Sequence, residues 1–149
     1  MNTTVTIHSK ASLDFLAFKE YLDIPELQLR HHFEVPGESM NWYFYREGKS
    51  TTLFIISYNL KDTYTISIDN LAAYDDLKFF PYLVDTLTKY LDGSMNINHI
   101  YQQMNEEWVE NTISEEIARL KGTLTVVPRY FFAQAFNDFY YVSEDILYP

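Results

Sequence analysis

The sequence predicts an α+β domain, an antiparallel sheet of four or five strands with its helices packed on one face. Three observations predict it. Between residues 28 and 69, four runs with a two-residue apolar period follow one another, separated by short turn-forming segments. After residue 74 the apolar period lengthens to about 3.6, the helical value. No Gly/Ser-rich linker or internal repeat interrupts the 149 residues, so residues 1–149 are expected to form a single globular domain.

The elements follow in order. "TTVTIH" (3–8) alternates, with Val5 and Ile7 on one side, as a short strand does. Ser12 is expected to cap a helix "SLDFLAFKEYL", with Asp14 in its first turn and Pro25 as its stop. Leu13, Leu16, Ala17 and Tyr21 share one face of that helix, and Phe15, Phe18 and Leu22 widen it. The meander 28–69 comes next. In "LQLRHHFEV", Leu29, His31, Phe33 and Val35 alternate with polar residues, and "PGES" turns the chain. "NWYFYRE" sets Trp42 and Phe44 against Tyr43 and Tyr45, and "EGKS" signals a hairpin around Gly48. "TTLFIISYN" is apolar on both faces, as an interior strand is, and "TYTISID" closes the meander with Tyr64, Ile66 and Ile68. Short connections make consecutive strands antiparallel neighbours.

Asp75 or Asp76 opens the next helix, which runs to Leu91 on a stripe of Leu83, Val84, Leu87 and Leu91. Pro81 lies at its first turn or kinks it, and Gly93 is the expected stop. A third helix is expected from about Asn98 to Glu110. Thr112 and Glu115, spaced as a capping box, then open a fourth that closes at Lys121 and Gly122. "TLTVV" reads as a strand, while "RYFFAQAF" fits either period.

Composition excludes several function classes. The formal net charge is -10, with 9 acids and 6 bases in residues 1–74 but 12 acids and 5 bases in residues 75–149. The four Arg are scattered, so no basic face is available for a phosphate backbone, and direct nucleic-acid binding is not expected. There is no Cys, which removes disulfides and thiolate metal sites. The N-terminal "MNTTVTIHSKAS" lacks a basic segment followed by an apolar one, and the longest strongly apolar run is "LFII". A cytoplasmic protein with no membrane attachment is expected. All four Gly (Gly37, Gly48, Gly93, Gly122) stand where turns or caps need them, leaving none for a phosphate-cradling loop. No nucleophile elbow or H-E-x-x-H occurs either, and no cofactor or metal is expected.

Aromatic residues are abundant, with 13 Tyr, 11 Phe and 2 Trp, which opposes disorder and loads the core with rings. They also offer one candidate site. His31 on the apolar side of its strand, with Trp42, Tyr43, Tyr45, Tyr58 and Tyr64 on the sheet, would line a small-molecule cup or a modest acid–base site. The plainer reading makes these rings ordinary core and His31 a satisfied buried histidine, and it is the favoured one. Adjacent His31 and His32 point to opposite faces and cannot share a metal, and His8 and His99 are expected at the surface.

The second candidate is the stretch "NEEWVENTISEEIARLKG". Glu106, Glu107, Glu110, Glu115 and Glu116 fall within it, and no Lys or Arg occurs anywhere in residues 90–118. Position explains three of them: Glu110 on the wet side of its helix, Glu115 and Glu116 at a helix start favoured by the dipole. The missing counter-charge is not explained, because surface helices usually mix signs. The leading expectation is therefore a non-enzymatic acidic module that binds a protein partner, or a second copy, through these Glu residues. Phe139, Tyr140 and Tyr141 are candidate anchors near the chain end.

Overall fold

The computed structural model describes residues 2–95, 106–123, 130–135 and 138–143. Strand β1 (Asn2–His8) leads into α1 (Phe15–Leu22), and the meander follows as β2 (Leu27–Val35), β3 (Ser39–Arg46), β4 (Phe54–Tyr58) and β5 (Thr63–Asp69). Helix α2 (Tyr74–Tyr90), the two-residue β6 (Ser94–Met95) and α3 (Glu106–Thr123) come next. Strands β7 (Tyr130–Ala135) and β8 (Asp138–Ser143) pair with each other as a separate antiparallel sheet.

The main sheet is antiparallel in the order β2-β3-β4-β5-β1-β6, and α+β is its class. The meander stands where its period and turns placed it, with the strand that is apolar on both faces, β4, in the interior. Strand β1 joins β5 with Val5 opposite Ile66 and Ile7 opposite Tyr64. Trp42, Phe44, Phe54, Ile56, Tyr64, Ile66 and Ile68 face the helices and form one buried cluster with Phe15, Phe18, Leu22, Leu77, Phe80, Leu83, Val84 and Leu87. Rings stack through it: Phe44 lies 5.4 Å from Phe54, and Tyr58 4.2 Å from Tyr64. A fully buried side chain of this kind contributes ~1.5–3 kcal/mol and an exposed ion pair ~0.2–1, so the rings outweigh the surface charges in holding the fold.

Several local expectations are corrected. Asp14, not Ser12, caps α1, its carboxylate accepting from the N–H groups of Leu16 and Ala17. The helix buries Phe15, Phe18 and Leu22, while Leu16 is 72% exposed and Tyr21 54%. Starting the helix at Phe15 turns the narrower aromatic stripe inward, and Tyr21 instead rests its ring against Tyr90.

Pro81 lies inside α2, beyond its first turn. The end of α2 differs as well. Asp92 takes the left-handed conformation (φ 48°), the N–H of Gly93 donates to Thr88 O and that of Asp92 to Lys89 O. This is a Schellman arrangement with Asp92 in the place usually given to glycine. Gly93 is needed one residue later for space, since a Cβ there would meet Ile7 Cγ2 at 2.8 Å and the His8 carbonyl at 2.9 Å.

The expected break at Thr112 is absent. Helix α3 runs unbroken from Glu106 to Thr123, because Val109, Thr112 and Ile113 fall on one buried stripe and packing overrides the cap-like spacing of Thr112 and Glu115. The proposed helix start at Asn98 and residues 124–127 of the "TLTVV" strand lie outside the described residues, while Thr123 belongs to α3. The ambiguous "RYFFAQAF" supplies β7.

Candidate functional site

Continuity of α3 decides how its carboxylates are displayed. With no break, Glu106, Glu107, Glu110, Glu115 and Glu116 all belong to a single helix. Val109 and Ile113 are buried in the core and Trp108 packs against it, while Glu107, Glu110 and Glu115 are exposed. The side chains of Glu106 and Glu116 fall outside the described residues. So do those of Phe139, Tyr140 and Tyr141, which lie on β8 opposite Gln134, Ala133 and Phe132. His99 is outside as well. Upstream, Lys89 forms an ion pair with Asp85 at 2.9 Å, one helical turn away.

The sheet aromatics do not share a surface. Trp42, Tyr58 and Tyr64 point toward the helices, whereas Tyr43 and Tyr45 stand on the opposite face. His31 joins the second group, contrary to expectation. A bulge between Leu29 and His31 inserts one residue, so Leu29 still aligns with Phe44 but His31 aligns with Tyr43. From there on the strand's two faces are exchanged. His31 is exposed, with its ring edge-on to Tyr43 at 6.1 Å, and His32 stacks on Trp42 at 5.1 Å. The two histidines do face opposite ways, as their adjacency required. His8 is exposed at the end of β1.

Tyr64 is fully buried and donates its hydroxyl hydrogen to the Ala11 carbonyl. Burial is the main reason its pKa is pushed up to about 12, with Tyr58 adding to the effect. A concavity of about 180 Å³ opens on the outer face among Asn2, Tyr43, Thr52, Ile55, Ser67 and Asp69. That is below the roughly 300–1,000 Å³ of small-molecule sites, and His31 does not line it. A groove of about 410 Å³ lies along α1 beside Leu16, Lys19 and Ile24, remote from the sheet rings in its lining.

One charged cluster escaped sequence reasoning. Arg46, at the end of β3, reaches the first turn of α2 and donates from Nη1 to Asp76 Oδ1 at 3.0 Å. Glu26 lies 3.9 Å from the same guanidinium and bonds Lys49 at 3.1 Å. The Phe79 ring covers Arg46 at 4.8 Å. Burial is the chief influence on Asp76 and raises its pKa, against the opposing pull of Ser50 and Arg46. Glu26 is held below the ordinary carboxylate value, first by a backbone hydrogen bond and then by Lys49. Nothing in the sequence joins Arg46 to Asp76, which stand thirty residues apart; Asp76 reads there as a helix opener. Its geometry ties a strand end to a helix start, a structural task.

No known family model matches the chain, and comparison with curated proteins and with solved structures finds no significant match. Among the described residues no three His, Asp or Glu side chains are grouped as metal ligands, and no helix is long and apolar enough to cross a membrane.

Proposed function

We propose that the protein is a non-enzymatic interaction module that holds a basic protein partner on the acidic side of α3. The carrying observation is that Glu107, Glu110 and Glu115 are exposed on one unbroken helix whose other side, at Val109 and Ile113, is anchored in the core. The anchoring makes the display rigid. The absence of Lys and Arg from residues 90–118 leaves Glu107 and Glu110 without a countercharge one turn away, whereas Glu115 has Arg119 four residues on. Rim ion pairs contribute ~0.2–1 kcal/mol each, so a row of carboxylates is what gives electrostatic steering and register. The division of His31, Trp42, Tyr43, Tyr45, Tyr58 and Tyr64 between two faces of the sheet leaves the ligand-cup reading without a common cavity.

The test compares the wild type with Glu107→Lys/Glu110→Lys/Glu115→Lys. Both are used to capture proteins from the source cells, after circular dichroism has shown equal helix content. A basic partner retained at physiological salt by the wild type, released by high salt and lost by the variant is the expected result. Identical captured sets, or a partner whose retention ignores salt, would overturn the reading.

A further inference from the structure

We propose that β2 is a dimerisation edge, on which a second copy of this chain adds its own β2 antiparallel and extends the sheet across a twofold axis. Strand β2 ends the strand order, and no described strand pairs with its outer side. Every residue from Leu29 to Glu34 is exposed, and among the described residues no strand covers the outer edge of this run. A bare edge is a template for another strand. Among the described residues the opposite end of the sheet offers only the two residues of β6.

The chemistry of the run selects a second copy as the occupant. Outward-directed N–H and C=O groups alternate along a strand, so a twofold axis between two antiparallel copies must pass through a residue, not between two. An axis at Glu34 would oppose two carboxylates. One at His32 would engage the bulge at Leu29/His31, where the ladder is irregular. An axis at Phe33 uses only the regular residues 31–35. It sets the imidazole of His32 against the Glu34 carboxylate of the other copy, a donor opposite an acceptor, and does so twice. It also sets Phe33 against Phe33 and His31 against Val35 on the outer face. Phe33, 44% exposed, already leans on Tyr43 at 5.6 Å, so the second Phe33 would extend an existing ring patch. Each edge is used up by the other, which closes the assembly at two copies.

The chain contains no Cys, so one introduced thiol reports the geometry cleanly. Opposed residues of an antiparallel pair lie ~4.5–5.5 Å apart at Cα, within the span of a disulfide. Phe33→Cys should therefore cross-link to a covalent dimer under mild oxidation much faster than Tyr82→Cys on exposed α2. Sedimentation equilibrium should show a wild-type dimer, weakened at least about tenfold in Phe33→Lys, since a substitution on the axis enters the interface twice. Thermal unfolding of Phe33→Lys at low concentration should match that of the wild-type monomer. A monomeric wild type, an undiminished dimer in Phe33→Lys, or equal cross-linking of the two Cys variants would overturn the proposal.

Discussion

Arg46 Nη1 and Asp76 Oδ1 stand 3.0 Å apart with Asp76 only 1% exposed, and this pair fastens the end of β3 to the first turn of α2. Neither Arg46 Nε nor Asp76 Oδ2 has a hydrogen-bond partner among the described residues, so each depends on the other. Removing one member takes away the near countercharge, leaving Arg46 with Glu26 at 3.9 Å or Asp76 with the pull of Ser50. Arg46→Met should cost ~3–5 kcal/mol at neutral pH by urea unfolding, and Arg46→Met/Asp76→Leu should recover most of it. The pH dependence has a definite sign. Because burial raises the Asp76 pKa above 3.8, its contribution is fully present below that value and is lost as pH rises through the folded value. Arg46 opposes that rise, so without it Asp76 holds its proton more tightly in the fold and the Arg46→Met deficit should shrink on acidification; a deficit independent of pH would contradict this account.

Gly93 and Asp92 predict opposite outcomes from neighbouring substitutions. Gly93→Ala drives a Cβ against the His8 carbonyl, which the β1–β6 pairing holds in place, and should destabilise by ~1–3 kcal/mol. Asp92→Gly removes a side chain from left-handed backbone and should be neutral or stabilising, by less than ~1 kcal/mol. Thermal melts of the two variants decide it. If Asp92→Gly were the more damaging change, the cap would be wrongly assigned.

Those two residues also mark where sequence legibility ended. The meander was readable because alternation and turn chemistry are local: Trp42, Phe44, Tyr64 and Ile66 announce their face without knowledge of any partner. A bulge is not local in that sense. The residue inserted between Leu29 and His31 leaves the composition unchanged yet moves His31 to the other face. Thr112 and Glu115 carry a true cap-like spacing, overridden by a buried stripe that only packing reveals. The exposure of Glu110 was legible from helical period, whereas its membership of the same helix as Glu115 was not. Arg46 and Asp76 meet through tertiary structure alone.

Tyr64 should ionise well above the ordinary tyrosine value. Its pKa is about 12 against an ordinary 10.0, and a raised value in the folded state means stability is full below 10.0 and lost as pH rises through about 12. Tyr64→Phe should lower stability at pH 7 by ~1 kcal/mol, leaving the Ala11 carbonyl without its donor. It should also remove one proton's worth of the alkaline slope. Unfolding free energies from pH 9 to 12 would show this, and parallel profiles for wild type and variant would refute it.

The two sides of α3 should separate stability from binding. Val109 and Ile113 are each 2% exposed, so Val109→Ala and Ile113→Ala should lower stability, the latter by ~2–5 kcal/mol. Glu107 and Glu110 are exposed, so Glu107→Lys and Glu110→Lys should change stability by less than ~0.5 kcal/mol. Thr112 provides the sharper discrimination. If it capped a separate helix, Thr112→Ala would cost ~1 kcal/mol, and Thr112→Asp would be tolerated as an equivalent cap. Inside a continuous helix, on the buried stripe, the Ala variant gains helix propensity and loses little packing, while Asp places a charge where Thr112 is 7% exposed. Thr112→Asp should therefore be much the more destabilising of the two. The reverse order in a urea titration would restore the two-helix arrangement and, with it, remove the rigid row of carboxylates on which the binding proposal stands.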